Sequence, residues 1–360
     1  MLINNKKYKT IWVNNFGKIK IIDQNLLPFK LKVAELKNLE DSMIAISTMQ
    51  VRGAPLIGVT AAFGMYLAIK KSPLKKNIIN SGEKLIATRP TAINLKWAVD
   101  KIVNEVLKHA VESRRYISLK IAKQLLEEDE VINKNIGKYG SKLISNIFKK
   151  KRKTVNILTH CNAGWLATVD WGTATSPIYS ARDLGVPIHV WVDETRPRNQ
   201  GSFLTSWELM HEKIDNTIIT DNAGGQLMKQ GLVDIVITGS DRTTFTGDVC
   251  NKIGTYLKAI AAYENDIPFY VALPSSTIDW NNSSGDQISI EERDENEVHY
   301  IKGLNSKNRI ESIRVTPANS MALNIAFDVT PRKYISGLIT EYGIVKANKK
   351  EIMGIKKKIK

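Results

Sequence analysis

Hydrophobic and polar positions change rhythm about midway along the chain. Near the start, Ile19 and Ile21 alternate with Lys18 and Lys20, and Tyr8 to Val13 leads into a turn at Asn14-Asn15-Phe16-Gly17. Alternation on either side of an Asn/Gly turn predicts a β-hairpin, Tyr8 to Val13 against Lys18 to Ile22. From Asn38 the spacing turns helical. Asn38 is placed to cap a helix carrying Asp41, Met43, Ile44, Ile46 and Met49. Pro55 favours a first helical position and predicts a second helix through Leu67. A third follows Arg89-Pro90-Thr91, with Ile93, Trp97, Ala98, Ile102 and Val106 along one face, and a long amphipathic stretch runs from about Ser118 to Ile147.

Beyond Lys153 the apolar runs become short and continuous. Thr154 to Thr159, Pro187 to Asp193, Thr217 to Thr220, Val233 to Thr238 and Pro268 to Leu273 read as buried strands separated by helical stretches. This alternation predicts an α/β fold: a helical N-terminal domain with a small β-hairpin, then a Rossmann-like doubly wound parallel sheet. The expected division is a mainly helical domain over 1–148, a basic linker at 149–153, a Rossmann-like sheet domain over 154–345 and a basic C-terminal tail at 346–360. Neither Gly-x-Gly-x-x-Gly nor a Walker A sequence occurs, so the nucleotide fingerprint of such sheets is missing.

Charge adds a competing possibility. The 360 residues carry a net +16, which alone points to nucleic acid or an anionic membrane. Lys149 to Lys153 and the last fifteen residues supply eleven of the sixteen excess charges, and runs of like charge make solvated loops and tails. No RNA-recognition, KH or zinc-finger pattern accompanies them, so nucleic acid is not an expected partner. Removal of everything after Val345 is expected to leave activity nearly unchanged. No apolar run approaches the ~20 residues of a membrane helix, and no apolar stretch follows the N-terminal lysines as in a secretory leader. Two cysteines, Cys161 and Cys250, exclude a disulfide scaffold and suggest a cytoplasmic location. The five histidines (His109, His160, His189, His211, His299) lack metal-ligand spacing, so no metal is expected.

Ligands of open parallel sheets bind at the C-terminal strand edge, and two reactive residues fall there. Cys161 follows Thr159-His160, before Asn162-Ala163-Gly164 turns toward a helix. It reads either as a thiol made acidic by the helix N-terminus or as a small buried hydrophobe. Asp241, in Gly239-Ser240-Asp241-Arg242, reads as a helix cap or a partner of Arg242. With Asp248, Asn251 and Lys252 close behind, it also suits a loop that takes a polyhydroxylated, phosphorylated ligand. Lys252 equally suits a solvated helix face. Arg52-Gly53-Ala54-Pro55 brings a guanidinium and backbone amides to a helix start, which is an anion site or an ordinary turn between helices. Arg89, at the next helix start, has the same two readings.

Together these segments closely resemble the methylthioribose-1-phosphate isomerases, whose superfamily includes regulatory subunits of a translation-initiation nucleotide-exchange factor. The matching runs are Met49 to Gly58, Arg89 to Asn94, Thr159 to Gly164, Glu194 to Pro197 with Gln200-Gly201, Thr220 to Asn222, Gly239 to Arg242 and Gly247 to Thr255. The resemblance implies an aldose–ketose isomerase that converts 5-methylthioribose 1-phosphate to 5-methylthioribulose 1-phosphate in methionine salvage. It further implies a small sugar-phosphate substrate, no cofactor, and a homodimer. By the same resemblance Cys161 is the catalytic thiol and Asp241 the general acid/base, its pKa raised by an apolar pocket. Arg52, Gly53, Ala54, Arg89, Gln200, Asn251 and Lys252 form the substrate-binding set. Noncatalytic translation-factor relatives lack the cysteine and the Asp-Arg/Asn-Lys set together, and their presence here favours the enzyme. A binding protein of that branch and a ribose-1,5-bisphosphate isomerase are the alternatives, and 5-deoxyribose 1-phosphate is a second candidate substrate. The chain departs from the usual pattern at Trp165, Asp170-Trp171, Phe203, Ser240 and Cys250, changes expected to crowd the surroundings of Cys161.

Overall fold

A computed structural model of the chain describes residues 1–90 and 92–359. Thr91, in the predicted helix start, and Lys360, at the end of the predicted tail, lie outside the described residues. The N-terminal hairpin pairs Ile11–Val13 with Ile19–Ile22, Ile11 opposite Ile21. Asn14 Oδ1 accepts from the amides of Phe16 and Lys18 and fixes the turn. A third strand, Val33–Leu36, extends this sheet.

Five helices follow: α1 (Leu39–Ser47), α2 (Ala54–Lys71), α3 (Lys75–Thr88), α4 (Ile93–Val106) and α5 (Val111–Lys151). Asn38 caps α1 by accepting from the Asp41 amide at 2.8 Å, and Pro55 lies in the first turn of α2. Helix α3 has no counterpart in the sequence expectation, because Asn77, Asn80, Ser81 and Gly82 weaken its helical signal. Gly82 is there for packing: a Cβ would lie 2.9 Å from Val99 of α4. On α4 the predicted face is corrected at Trp97, which is 40% exposed; the buried stripe is Leu95, Ala98, Val99, Ile102 and Val106.

Helix α5 joins two hydrophobic cores. Ile121, Ala122, Leu125 and Leu126 pack in the N-terminal core, and Ile136 and Ile144 in the core beside the sheet. The basic block at 149–153 is mainly the end of this helix. Lys149, Lys150 and Lys151 form its last turn, where cations complement the helix dipole, and Arg152 terminates it at φ +54°. Lys151 also pairs with Asp234 at 2.7 Å.

The large sheet contains β1 (Val155–Thr159), β2 (Ile188–Asp193), β3 (Asp215–Ile219), β4 (Ile235–Thr238), β5 (Phe269–Ala272), β6 (Gly337–Thr340) and β7 (Gly343–Val345). Their spatial order is β3-β2-β1-β4-β5-β6-β7, with only β7 antiparallel to its neighbour. The predicted strands correspond to β1–β5, but β3, expected to be buried, is a largely exposed strand at the sheet edge. This is the doubly wound order, and it reverses between β1 and β4, the place where such sheets bind ligands. Helices α6 (Ser176–Asp183), α7 (Ser206–His211), α8 (Ala223–Lys229), α9 (Thr255–Glu264) and α10 (Lys349–Lys356) complete the main elements.

Two further expectations change. The segment after Asp241 is not a loop: Arg242–Thr244 and Val249–Lys252 form an antiparallel pair within a second, four-stranded sheet. The basic end of the chain is not merely a solvated tail, because α10 buries Ile352 and Ile355 in a core with Val249, Leu338 and Ala347. A charge-run reading missed these two apolar positions, spaced at i and i+3. Among the described residues no helix is long and apolar enough to cross a membrane.

Candidate active site

The strand ends at the switch point bring together residues that are 80 positions apart in sequence. After β1 the chain passes through Thr159 and His160 to Cys161, and after β4 through Gly239 and Ser240 to Asp241. Gly239 permits the approach of the two loops, since a Cβ there would lie 2.5 Å from the Ala163 Cβ. Cys161 adopts φ +65°, a left-handed conformation that costs a non-glycine residue about 1–3 kcal/mol. Its backbone is held from both sides: the amide donates to Thr195 Oγ1 at 2.8 Å, and its carbonyl accepts from Thr205 Oγ1 at 2.7 Å. The thiol Sγ lies 3.4 Å from Gln200 Oε1.

The helical half of the chain closes the other side. Gly53 caps α2 at φ +86°, where a Cβ would meet Ala167 at 2.5 Å. No side chain caps α2, so the amides at Gly53 and Ala54 begin a helix N-terminus at the cleft. Arg52 is buried and donates from both terminal nitrogens to the carbonyl oxygen and Oδ1 of Asn162 at 2.6–3.2 Å. Its Nε lacks a partner among the described residues. Arg89 ends α3 rather than opening α4, and its guanidinium lies 3.9 Å from Glu291.

All nine predicted site residues line one cleft that opens to solvent: Arg52, Gly53, Ala54, Arg89, Cys161, Gln200, Asp241, Asn251 and Lys252. Asn251 Nδ2 donates to Thr255 Oγ1 at 3.0 Å, and Lys252 Nζ donates to the Ala326 carbonyl at 2.8 Å while lying over the Phe327 ring. Asp248 is not among them. Its carboxylate turns away to accept from the amides of Gly285 and Arg332.

Burial dominates the electrostatics of the cleft. It pushes Asp241 above the ordinary carboxylate range, against the pull of Lys252, Arg89 and Arg52. It also lowers Lys252 and Arg52 from their usual values. Of the two readings of Cys161, burial agrees with the buried residue and goes against the acidic thiol. Burial raises the thiol, outweighing the nearby Arg52 and Lys252 charges. The segment after it forms only a single turn at Trp165–Ala167, too short to supply the helix N-terminus assumed from sequence.

Several supporting residues were assigned no role from the sequence. His160 Nδ1 lies 2.7 Å from Asp193 and Nε2 lies 2.8 Å from the Ile253 carbonyl. Asp221 completes a group with ligand-capable atoms, and Lys258 Nζ, 3.1 Å from Asp193, already places a cation there. Glu208 of α7 accepts from the Asn162 side chain and from the Trp165 and Leu166 amides. The expected crowding around Cys161 is corrected at Trp165 and Phe203, while Ser240 does line the cleft. Trp165 is fully buried beside Trp207, outside the cleft lining, whereas Phe203 lines an adjoining, larger chamber. The two spaces share Met49, Arg52 and Gln200.

Residues 50–347 match the initiation factor 2 subunit family. The chain is 51% identical over 352 residues to the methylthioribose-1-phosphate isomerase of Escherichia coli O45:K1, covering 97% of this chain and 95% of that one. The chain belongs to the methylthioribose-1-phosphate isomerase family. The corresponding protein of Rhizobium meliloti is 52% identical over 348 residues, 96% of each chain. Among solved structures, 5-methylthioribose 1-phosphate isomerase from Pyrococcus horikoshii OT3 superposes with a TM-score of 0.84 at 37% identity, covering 98% of this chain and 96% of that one. The translation initiation factor eIF-2B delta subunit from A. fulgidus gives 0.77 at 39%, covering 94% and 96%. Family membership therefore extends over both halves of the cleft.

Proposed function

We propose that this cleft isomerises 5-methylthioribose 1-phosphate, the sugar phosphate in the names of the isomerase relatives, to 5-methylthioribulose 1-phosphate. The observation that carries the residue assignments is the meeting of Cys161 and Asp241 with Arg52 and Arg89 in one cleft. In this reading Arg52, Arg89 and the amides at Gly53 and Ala54 hold the phosphate, and Gln200, Asn251 and Lys252 hold the sugar hydroxyls. Residues 1–148 and 154–345 act as the two domains on either side of the substrate.

A phosphate ester on C1 blocks spontaneous ring opening, so cleavage of the C1–ring oxygen bond needs a proton at that oxygen. Neutral Asp241, favoured by burial, is the donor. The hydrogen on C2 must then reach C1, while the C2 hydroxyl gives up its proton to become the ketone. In one route Cys161, as thiolate, removes the C2 proton and a proton is delivered to C1 of the resulting enol. In the other, hydrogen passes from C2 to C1 with its electron pair as the ring opens. The buried thiol, raised rather than lowered, favours the second route. Turnover in deuterated water separates them: solvent deuterium at C1 of the ketose marks the first, and its absence supports the second.

Phe203 places an apolar ring in a chamber also lined by Arg198 and Arg293, whose charges are paired with Glu297 and Glu291, and so suits a methylthio or deoxy 5-position better than a second phosphate. The functional test is kcat/KM on the 5-methylthio, 5-deoxy and 5-phospho sugar 1-phosphates. Preference for the first supports the proposal, and absence of ketose from all three would support a binding protein instead. Methionine salvage, a cytoplasmic location, a homodimer, and no nucleic-acid or membrane partner complete the proposal. Size-exclusion chromatography with light scattering tests the dimer.

A further inference from the structure

We propose that Glu208 is a positioning residue that holds Arg52 in the cleft through Asn162 and so sets the affinity for the sugar phosphate. The inference rests on the assignment of Arg52 to the substrate. Glu208 is fully buried on α7 and does not line the cleft. Its oxygens face four donors: Oε1 takes Asn162 Nδ2 at 3.0 Å and the Leu166 amide at 2.9 Å, and Oε2 takes the Trp165 amide at 2.9 Å and the Tyr179 hydroxyl at 3.2 Å. An ionised carboxylate only accepts, so it dictates which end of the Asn162 amide faces it. The NH2 group points to Glu208 and Thr205, and Oδ1 points to both terminal nitrogens of Arg52 at 2.6 and 3.0 Å. The loop is shaped around this carboxylate, for a Cβ at Gly164 would lie 1.7 Å from Oε2.

Glu208→Gln keeps the shape and loses the acceptor-only character. Its NH2 group meets either Asn162, turning that amide over so that a donor faces Arg52, or the Trp165 amide. Because burial pushes Glu208 up to about 7, the assay is run near pH 8.5, where the carboxylate is ionised. The experiment compares wild type with Glu208→Gln, Asn162→Ala and the double variant in full-length protein. Expected are a KM raised about tenfold in each single variant, kcat within about twofold of wild type, and a double variant no worse than Asn162→Ala, the non-additivity of one relay. Additive effects on KM, or a lowered Tm with unchanged KM, would overturn the proposal. If Glu208→Gln does not fold, Glu208→Asp retracts the charge from Asn162: a raised KM supports the relay and an unchanged KM overturns it. An Arg52→Lys protein with wild-type KM would refute the underlying Arg52 assignment, and this relay with it.

Discussion

Deleting residues 346–360 removes more than a third of the net charge of the chain, yet its main expected effect is on stability. Ile352 and Ile355 of α10 are 0% and 1% exposed and pack into the core formed by β4, β5, β6 and the neighbouring helices. Burying an isoleucine side chain contributes about 1.5–3 kcal/mol, so their joint loss removes roughly 3–6 kcal/mol. Losing α10 also exposes apolar surface that it covers. A native protein has about 5–15 kcal/mol in total, and a deletion of this size leaves much of a modest margin spent. Truncation after Val345 should therefore produce a large fall in Tm and in the denaturant midpoint, and loss of soluble protein if the margin is small. Ile352→Ala with Ile355→Ala separates packing from charge, because it retains every lysine. That double variant should lose about 4 kcal/mol or more by the cost of large-to-small core changes. Since α10 is not part of the cleft lining, the folded protein should retain its kcat/KM. A double variant with wild-type denaturant midpoint, or a truncated protein with unchanged Tm, would refute the packing of α10 described here.

Other consequences can be measured separately. Arg52→Lys loses the forked contact with Asn162, and a charged hydrogen bond of about 1.5–3 kcal/mol should appear as a ten- to hundredfold rise in KM. Phe203→Arg places a cation in the adjoining chamber and should raise the 5-phospho to 5-methylthio ratio of kcat/KM by about tenfold; an unchanged ratio would remove the 5-position from that chamber. Burial pushes both Asp129 and Glu208 up to about 7, so each keeps a proton in the native state that the unfolded chain has already lost. Their stabilising contribution is full below the unfolded carboxylate pKa and is lost as pH rises through 7. Asp129→Asn should accordingly flatten the decline in stability between about pH 4 and pH 7, measured by denaturant titration; an unaltered slope contradicts the raised Asp129.

The parts legible in sequence were those with a local physical signature. The Asn14–Gly17 turn, the Asn38 cap and Pro55 announce themselves through turn and capping chemistry, and the apolar runs of β1–β5 through composition. Long-range packing was less visible. Gly82 weakens α3 locally but is needed against α4, and Trp97 matches the helical period yet faces solvent. Charge concealed two apolar positions in α10. At the cleft, residues with distinctive motifs were legible, whereas Glu208 was not, because a glutamate in a short helix looks like any solvated one until the fold wraps four donors around it. The sequence leaves the acidity of Cys161 open for a related reason: it depends on a helix start and on burial, both products of tertiary structure.

The most direct test of the central claim is conversion of 5-methylthioribose 1-phosphate followed by phosphorus NMR with wild-type, Cys161→Ser and Asp241→Asn proteins at matched folded concentration. Wild type should yield the ketose 1-phosphate, while each variant retains its fold and sugar-phosphate binding and loses turnover. Near-wild-type conversion by either variant would contradict the assignment of chemistry to this cleft.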